Sequence, residues 1–211
     1  PVIDTLICNA GIMKTPYQRT VDGFEMQFQV NFLGHFMISH GIKNNLLQSA
    51  NLKIINICSA SAEKGQIDTI EALQAISMVS EDEYDGMTSY RESKLAQQIS
   101  VMELSRQKQN EKIKYSLVHP GIVNTNLFYR NSGRFYKLFM LPFVYLGYAL
   151  GFFKTPKQGA ESSVFLSETK DYESGLYWHK QKNLIPNPIT NNQDYSSELL
   201  NWSMEKITTK S

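Results

Sequence analysis

The apolar and polar positions divide the chain into short hydrophobic runs separated by longer segments of helical period. Val2 to Asn9 (VIDTLICN) is apolar, of strand length, and ends in Asn-Ala-Gly; it predicts a buried parallel strand running into a turn. Leu52 to Cys58 (LKIINIC) and Lys114 to His119 (KYSLVH) predict a second and a third strand, and Gly175 to His179 a short final one. From Thr20 a mostly helical run extends to about Gln48, with Asp22 as expected N-cap and Glu25 three later, as in a capping box. Phe24, Phe28, Phe32 and Phe36 mark its apolar face. Asn31 interrupts it, and asparagine is a mediocre helix former because its amide competes with the backbone for hydrogen bonds.

Glu63 to Thr88 is polar and acidic and predicts a surface excursion with one short helix. Met87 to about Asn110 predicts a helix with Leu95, Ile99 and Met102 towards the core. Thr155-Pro156-Lys157 opens another helix to about Glu168, with proline at or near its first position. Asn191 to Ile207 predicts a closing amphipathic helix. Strands alternating with helices predict an α/β fold with a parallel sheet, in a single domain over residues 1–211.

Composition narrows the class. A chain of 211 residues can bury one sizeable core, and 21 basic against 20 acidic residues give a net charge of +1. No strong basic stripe is present, so nucleic acid is disfavoured as a partner. Cys8 and Cys58 lie inside apolar runs and read as buried, reduced thiols. His35 and His40 lack zinc-site spacing, and no metal is expected. Leu138 to Phe153 is uncharged but broken by Pro142, Gly147 and Gly151. It is shorter than the roughly 20 residues of a membrane-spanning helix. A greasy lid or pocket wall is the preferred reading, and a membrane-surface helix the alternative. The chain starts at Pro1 directly before a strand, which suggests a fragment or processed form.

The candidate chemistry centres on Tyr90 and Lys94. Four apart on a helix, they share one face. A phenol with a pKa near ~10 is a poor base at neutral pH, and a nearby ammonium would lower that value towards what alcohol–carbonyl interconversion requires. With 11 tyrosines in the chain, a pair of this spacing by itself carries little weight. Ser59 stands at a strand's carboxyl end, where open α/β sheets place ligands, although a turn-forming serine fits there too. Asn9-Ala10-Gly11 offers close backbone approach or an ordinary strand-end turn. Asn31 is open to a reading as an exposed helix position.

In order, Asn9-Ala10-Gly11, Asn31, Ser59, Tyr90-x-x-x-Lys94 and Pro120-Gly121-x-Val123-x-Thr125 strongly resemble the short-chain dehydrogenase/reductase family. The surrounding wording (CNAGIM, NICSAS, YRESKLA, VHPGIVNTNL) is similar to its retinol dehydrogenase type, including polyprenol-oxidising relatives. The resemblance implies a Rossmann-like, doubly wound parallel sheet and a nicotinamide cofactor, NADP or NAD. It implies a lipophilic alcohol or carbonyl substrate, and an endoplasmic reticulum membrane location with a cytoplasmic one as alternative. It leaves membrane-surface contact and a homo-oligomer open. It casts Tyr90 as general acid/base and Lys94 as the group that lowers its pKa and holds the nicotinamide ribose. Ser59 would hydrogen-bond the substrate oxygen, and Asn31 would distort its helix and hold a water relaying protons towards Lys94. Asn9, Ala10 and Gly11 would line the adenosine-ribose side, and Pro120, Gly121, Val123 and Thr125 would contact the nicotinamide.

One family feature is missing from this sequence: the Gly-rich turn (Thr-Gly-x-x-x-Gly-x-Gly) whose following helix holds the pyrophosphate. By analogy the first strands are absent, the Thr5 to Asn9 strand becomes an apolar sheet edge, and the chain alone binds the cofactor poorly. The competing expectation is a catalytically inactive, truncated relative acting as a binding or interaction module.

Overall fold

The computed structural model describes residues 3–45, 52–107, 112–123, 147 and 152–208. Three strands come from the apolar runs: β1 (Thr5–Cys8), β2 (Leu52–Ile57) and β3 (Ile113–Val118). β4 (Leu176–His179) follows, and then β5 (Lys182–Leu184). They form one sheet in the order β1-β2-β3-β4-β5, parallel from β1 through β4 and antiparallel only at the β4–β5 hairpin. Leu176–His179 is therefore not the final strand. β5 is short and opens on two exposed polar residues, a pattern with no strand signal of its own.

The sheet is covered on both faces, as its sequence period requires. On β2, Leu52 and Ile54 join the larger core, whereas Ile55 and Ile57, pointing the other way, join a smaller one with Val118, Leu166 and Phe165. The larger side is packed by α2 (Gly34–Asn45), α4 (Gly86–Arg106) and α6 (Gln193–Thr208), after a single turn of helix, α1 (Met26–Phe28). α3 (Ile70–Ser77) lies in the acidic excursion, and α5 (Pro156–Glu168) covers the smaller side. Leu95, Ile99 and Leu73 are fully buried. Each such side chain contributes roughly 1.5–3 kcal/mol relative to exposure.

Local chemistry sets the element ends. α4 begins where the Asp85 carboxylate accepts the Thr88 N–H at 2.7 Å. α5 begins with the expected proline after a Thr155–Gln158 capping box. Lys53 closes its other end, donating to the Ser167 and Thr169 carbonyls at 2.7 Å each. Helix does not begin at Asp22, as its spacing to Glu25 suggests. Residues 20–24 form a turn around Gly23 (φ +84), and Glu25 is itself the N-cap, accepting from Gln27 N at 2.9 Å and Phe28 N at 2.7 Å. The four phenylalanines are all buried, as their spacing predicts.

β1 pairs only with β2, so it is an edge of the described sheet, and Ile7 is 42% exposed. The expected edge is thus present, and the expected two-sided burial of this strand is not. Cys8 and Cys58 are both buried free thiols. Among the described residues no helix is long and apolar enough to cross a membrane, and no histidine, cysteine or carboxylate cluster could hold a metal. The apolar stretch from Leu138 lies outside the described residues except at 147, 152 and 153.

Candidate active site

Ser59 follows the carboxyl end of β2 and caps a 3-10 turn (Ala60–Lys64), its Oγ accepting the Ser61 N–H at 3.2 Å. That turn is fixed from the helix carrying Tyr90. The Glu92 carboxylate accepts the Gln66 N–H at 2.9 and 3.0 Å and the Ile67 N–H at 3.1 Å. A Cβ on Gly65 would stand 2.8 Å from Leu95, so only glycine permits this approach. Asn187 ties the same turn from the far side, donating to the Ala62 carbonyl at 3.2 Å.

These constraints bring Ser59 and Tyr90 together across thirty positions of sequence: the serine hydroxyl lies near enough to the phenol to lower its pKa, while its Oγ is hydrogen-bonded to Ser61. Tyr90 is buried, and burial raises its phenol above the usual value of 10.0; the Ser59 contact pulls it down, and Cys58 adds to the rise. The lowering expected from Lys94 is not what the described geometry produces. The Lys94 ammonium donates to the Ile57 carbonyl at 2.8 Å and to Gln97 Oε1 at 3.3 Å. Burial depresses this lysine to about 8, against the favourable influence of Cys58 and Cys8. Cys58, fully enclosed, is pushed up to about 11 and stays a thiol.

Asn31 is fully buried rather than exposed, and its helix is distorted as the resemblance implied: residues Gln29–Leu33 form a π turn between α1 and α2. Its carboxamide is fully engaged. Oδ1 accepts the Ile12 N–H at 2.9 Å; Nδ2 donates to the Ile12 carbonyl at 2.9 Å and to Ser93 Oγ at 3.0 Å. Asn31 thereby fixes the chain after Asn9-Ala10-Gly11 to the helix that carries Tyr90. Asn9, Ala10 and Gly11 are exposed, and a Cβ on Gly11 would meet Asn31 Oδ1 at 3.4 Å.

Pro120, Gly121 and Val123 leave β3 at the same end of the sheet as Ser59 leaves β2. Gly121 takes φ +83, and its N–H is donated to His119 Nδ1 at 3.3 Å. Val123 makes a parallel bridge to Lys154. Thr125 lies outside the described residues. The sequence spacing gave no role to Glu92, Ser93, Gln97 or His35, which surround the site. A signal was present: Tyr90, Ser93, Lys94 and Gln97 make a polar stripe at i, i+3, i+4, i+7 on a helix otherwise committed to the core.

A parallel sheet with two hydroxyls and a buried lysine at its carboxyl edge is where open α/β folds place their ligands. Comparison with known proteins is specific. Residues 1–71 match the family model for short chain dehydrogenase. The chain is 37% identical over 192 residues to human retinol dehydrogenase 14, covering 88% of this chain and 54% of that protein. It is 33% identical over 203 residues to mouse retinol dehydrogenase 13, covering 93% and 58%. The chain spans about half the length of the curated relatives it matches. Among solved structures, an uncharacterized protein from Mycobacterium Paratuberculosis superposes with a TM-score of 0.70 at 23% identity, over 98% of this chain and 67% of that one. The NADPH-bound carbonyl reductase from chicken fatty liver gives 0.56 at 20%, over 87% and 66%. The sequence relatives of this chain are short-chain dehydrogenases/reductases of the retinol dehydrogenase type.

Proposed function

We propose that this chain carries the proton-transfer side of a nicotinamide-dependent oxidoreductase that interconverts a lipophilic alcohol, retinoid- or polyprenol-like, with its aldehyde or ketone. The juxtaposition of Ser59 and Tyr90, one helical turn from buried Lys94, is the observation that carries this reading. NADP is the preferred cofactor and NAD the alternative. The residues present suit it on the adenosine-ribose side, at Asn9-Ala10-Gly11, and on the nicotinamide side, at Gly121, Lys94 and Tyr90. Exposed backbone at Asn9-Ala10-Gly11 and the positive-φ turn at Gly121 both allow close approach, and Lys94 and Tyr90 supply donors to ribose hydroxyls. When bound, the cofactor supplies the hydride exchange.

In the reducing direction Ser59 donates a hydrogen bond to the substrate oxygen and Tyr90 delivers its proton there. Burial holds the phenol protonated at neutral pH, which suits donation. The Lys94 ammonium, with two of its three N–H groups on Ile57 and Gln97, keeps the third for a ribose hydroxyl of the cofactor. Asn31 maintains the spacing between the Gly11 segment and Tyr90's helix; a water held near it would complete a proton route to Lys94. The relatives' names favour a lipophilic substrate. An endoplasmic reticulum membrane surface is a fitting location, with exposed Phe152 and Ile122 as contacts.

The test is NADPH-dependent reduction of retinaldehyde by the full-length protein. Tyr90→Phe should lower kcat by about 10³-fold. Retention of comparable turnover would remove Tyr90 from its role. A second reading, a catalytically inactive binding module, is favoured by the missing Gly-rich turn in these 211 residues and by the edge strand β1. Turnover of retinaldehyde by the full-length protein separates them; in calorimetry this chain by itself should bind NADPH weakly, and submicromolar affinity would overturn that expectation.

A further inference from the structure

Behind Lys94 a chain of buried polar groups continues away from Ser59 and Tyr90. Gln97, 1% exposed, presents Oε1 to the Lys94 ammonium at 3.3 Å, while its Nε2 stands 3.0 Å from His35 Nδ1. The directions of these bonds follow from chemistry. An ammonium has only donors, so the amide must turn its oxygen to Lys94. Its N–H then faces His35 Nδ1, which must accept, and the imidazole proton therefore sits on Nε2. A protonated His35 would present N–H to N–H and is excluded while Lys94 is charged. His35 is 5% exposed, its Nε2 has no hydrogen-bond partner among the described residues, and the ring borders a small internal cavity with Ser39, Asn56, Gln97 and Ser100.

We propose that Gln97 and His35 are positioning residues for Lys94: the Gln97 oxygen holds the ammonium in place, and neutral His35 locks the amide in the orientation that presents that oxygen. This rests on the role given to Lys94 above. The titratable groups around the ammonium are Cys8 on β1, Cys58 after β2 and His35 on α2. Neither thiol is ionised at neutral pH, since burial raises both. His35 is lowered to about 4 by burial and by Lys94 itself, consistent with an uncharged ring. Gln97 is therefore a principal side-chain acceptor for a cation that burial disfavours.

The experiment follows the Lys94 titration by NMR in full-length protein carrying 13C-labelled lysine, the signal assigned by its loss in Lys94→Met. Gln97→Met, close in shape but without the acceptor, should shift the titration down by about half a unit or more. Gln97→Glu, which places a carboxylate beside the ammonium, should shift it up by about one unit. A merely structural role predicts no such opposed pair. The basic limb of the kcat/KM profile should move in the same two directions. In the unsubstituted protein, 15N correlation should find the His35 proton on Nε2. A proton on Nδ1, or an unmoved Lys94 in both variants, would overturn the proposal whether or not the variants keep full activity. Opposed Lys94 shifts in a protein with no NADPH-dependent turnover would uphold the positioning and remove the enzymatic reading.

Discussion

At the carboxyl end of β2, Ser59, Tyr90 and Lys94 are held on every side by helix, 3-10 turn and buried amide. One strand away, at the carboxyl end of β1, Asn9, Ala10 and Gly11 are exposed, and among the described residues the strand behind them has a neighbour on one side only. The two regions are linked by Asn31, whose three hydrogen bonds reach both. The contrast separates two requirements. Moving a proton needs short, fixed contacts in a dry environment, where each dipole acts strongly. Receiving a ligand's surface needs open backbone, and its stability is borrowed from whatever packs beside it.

Substitutions on the two sides should therefore fail in different ways. Ser59→Ala should reduce kcat of the full-length protein by about 10²-fold with little change in cofactor KM, because its contact to the substrate oxygen strengthens in the transition state. Asn9→Ala should raise cofactor KM and leave kcat nearly unchanged; an equal fall in kcat for both would erase the distinction. Asn31→Ala should cost about 2–4 kcal/mol in urea unfolding, since it removes three hydrogen bonds and leaves the half-buried Ile12 N–H and carbonyl without their side-chain partner.

Acid should act on the enclosed side. His35 binds its proton at about 4 in the folded chain against an ordinary 6.5, so the unfolded chain takes up more protons in that window and stability falls as pH drops from 6.5 to 4. The loss from His35 approaches about 3 kcal/mol at the low end. Glu25 and Glu92, both raised by burial, oppose it above 4.5. His35→Asn should flatten the fall, measured as unfolding midpoint against pH. The smallest effect belongs to the edge: Ile7→Lys should change stability by less than about 0.5 kcal/mol while suppressing concentration-dependent aggregation.

Much of the scaffold was legible because its signals are local. The apolar runs gave β1, β2 and β3, and Thr155-Pro156 gave the start of α5. β5 escaped because an edge strand of Lys-Asn-Leu has no hydrophobic alternation, and Asp22 misled because an acid three residues before Glu25 suits a turn as well as a cap. The site was legible as residue types but not as a network. Ser59 and Tyr90 meet only through Glu92, Gly65 and Asn187, which are distant from one another in sequence. The rise in Tyr90 was hidden for the same reason, since burial is a property of the packed chain and not of the Tyr-x-x-x-Lys spacing.

The π turn at Gln29–Leu33 has a consequence for the phenylalanine ladder. Side chains repeating every fourth residue drift around an ordinary α-helix, which closes a turn in 3.6. One widened turn rotates the other way and realigns Phe28, Phe32 and Phe36 on a common face. Deleting a single residue there would let the helix wind regularly, swinging Asn31 off its partners and half the ladder out of register with the sheet. In this segment, chain length is as strictly specified as side-chain identity.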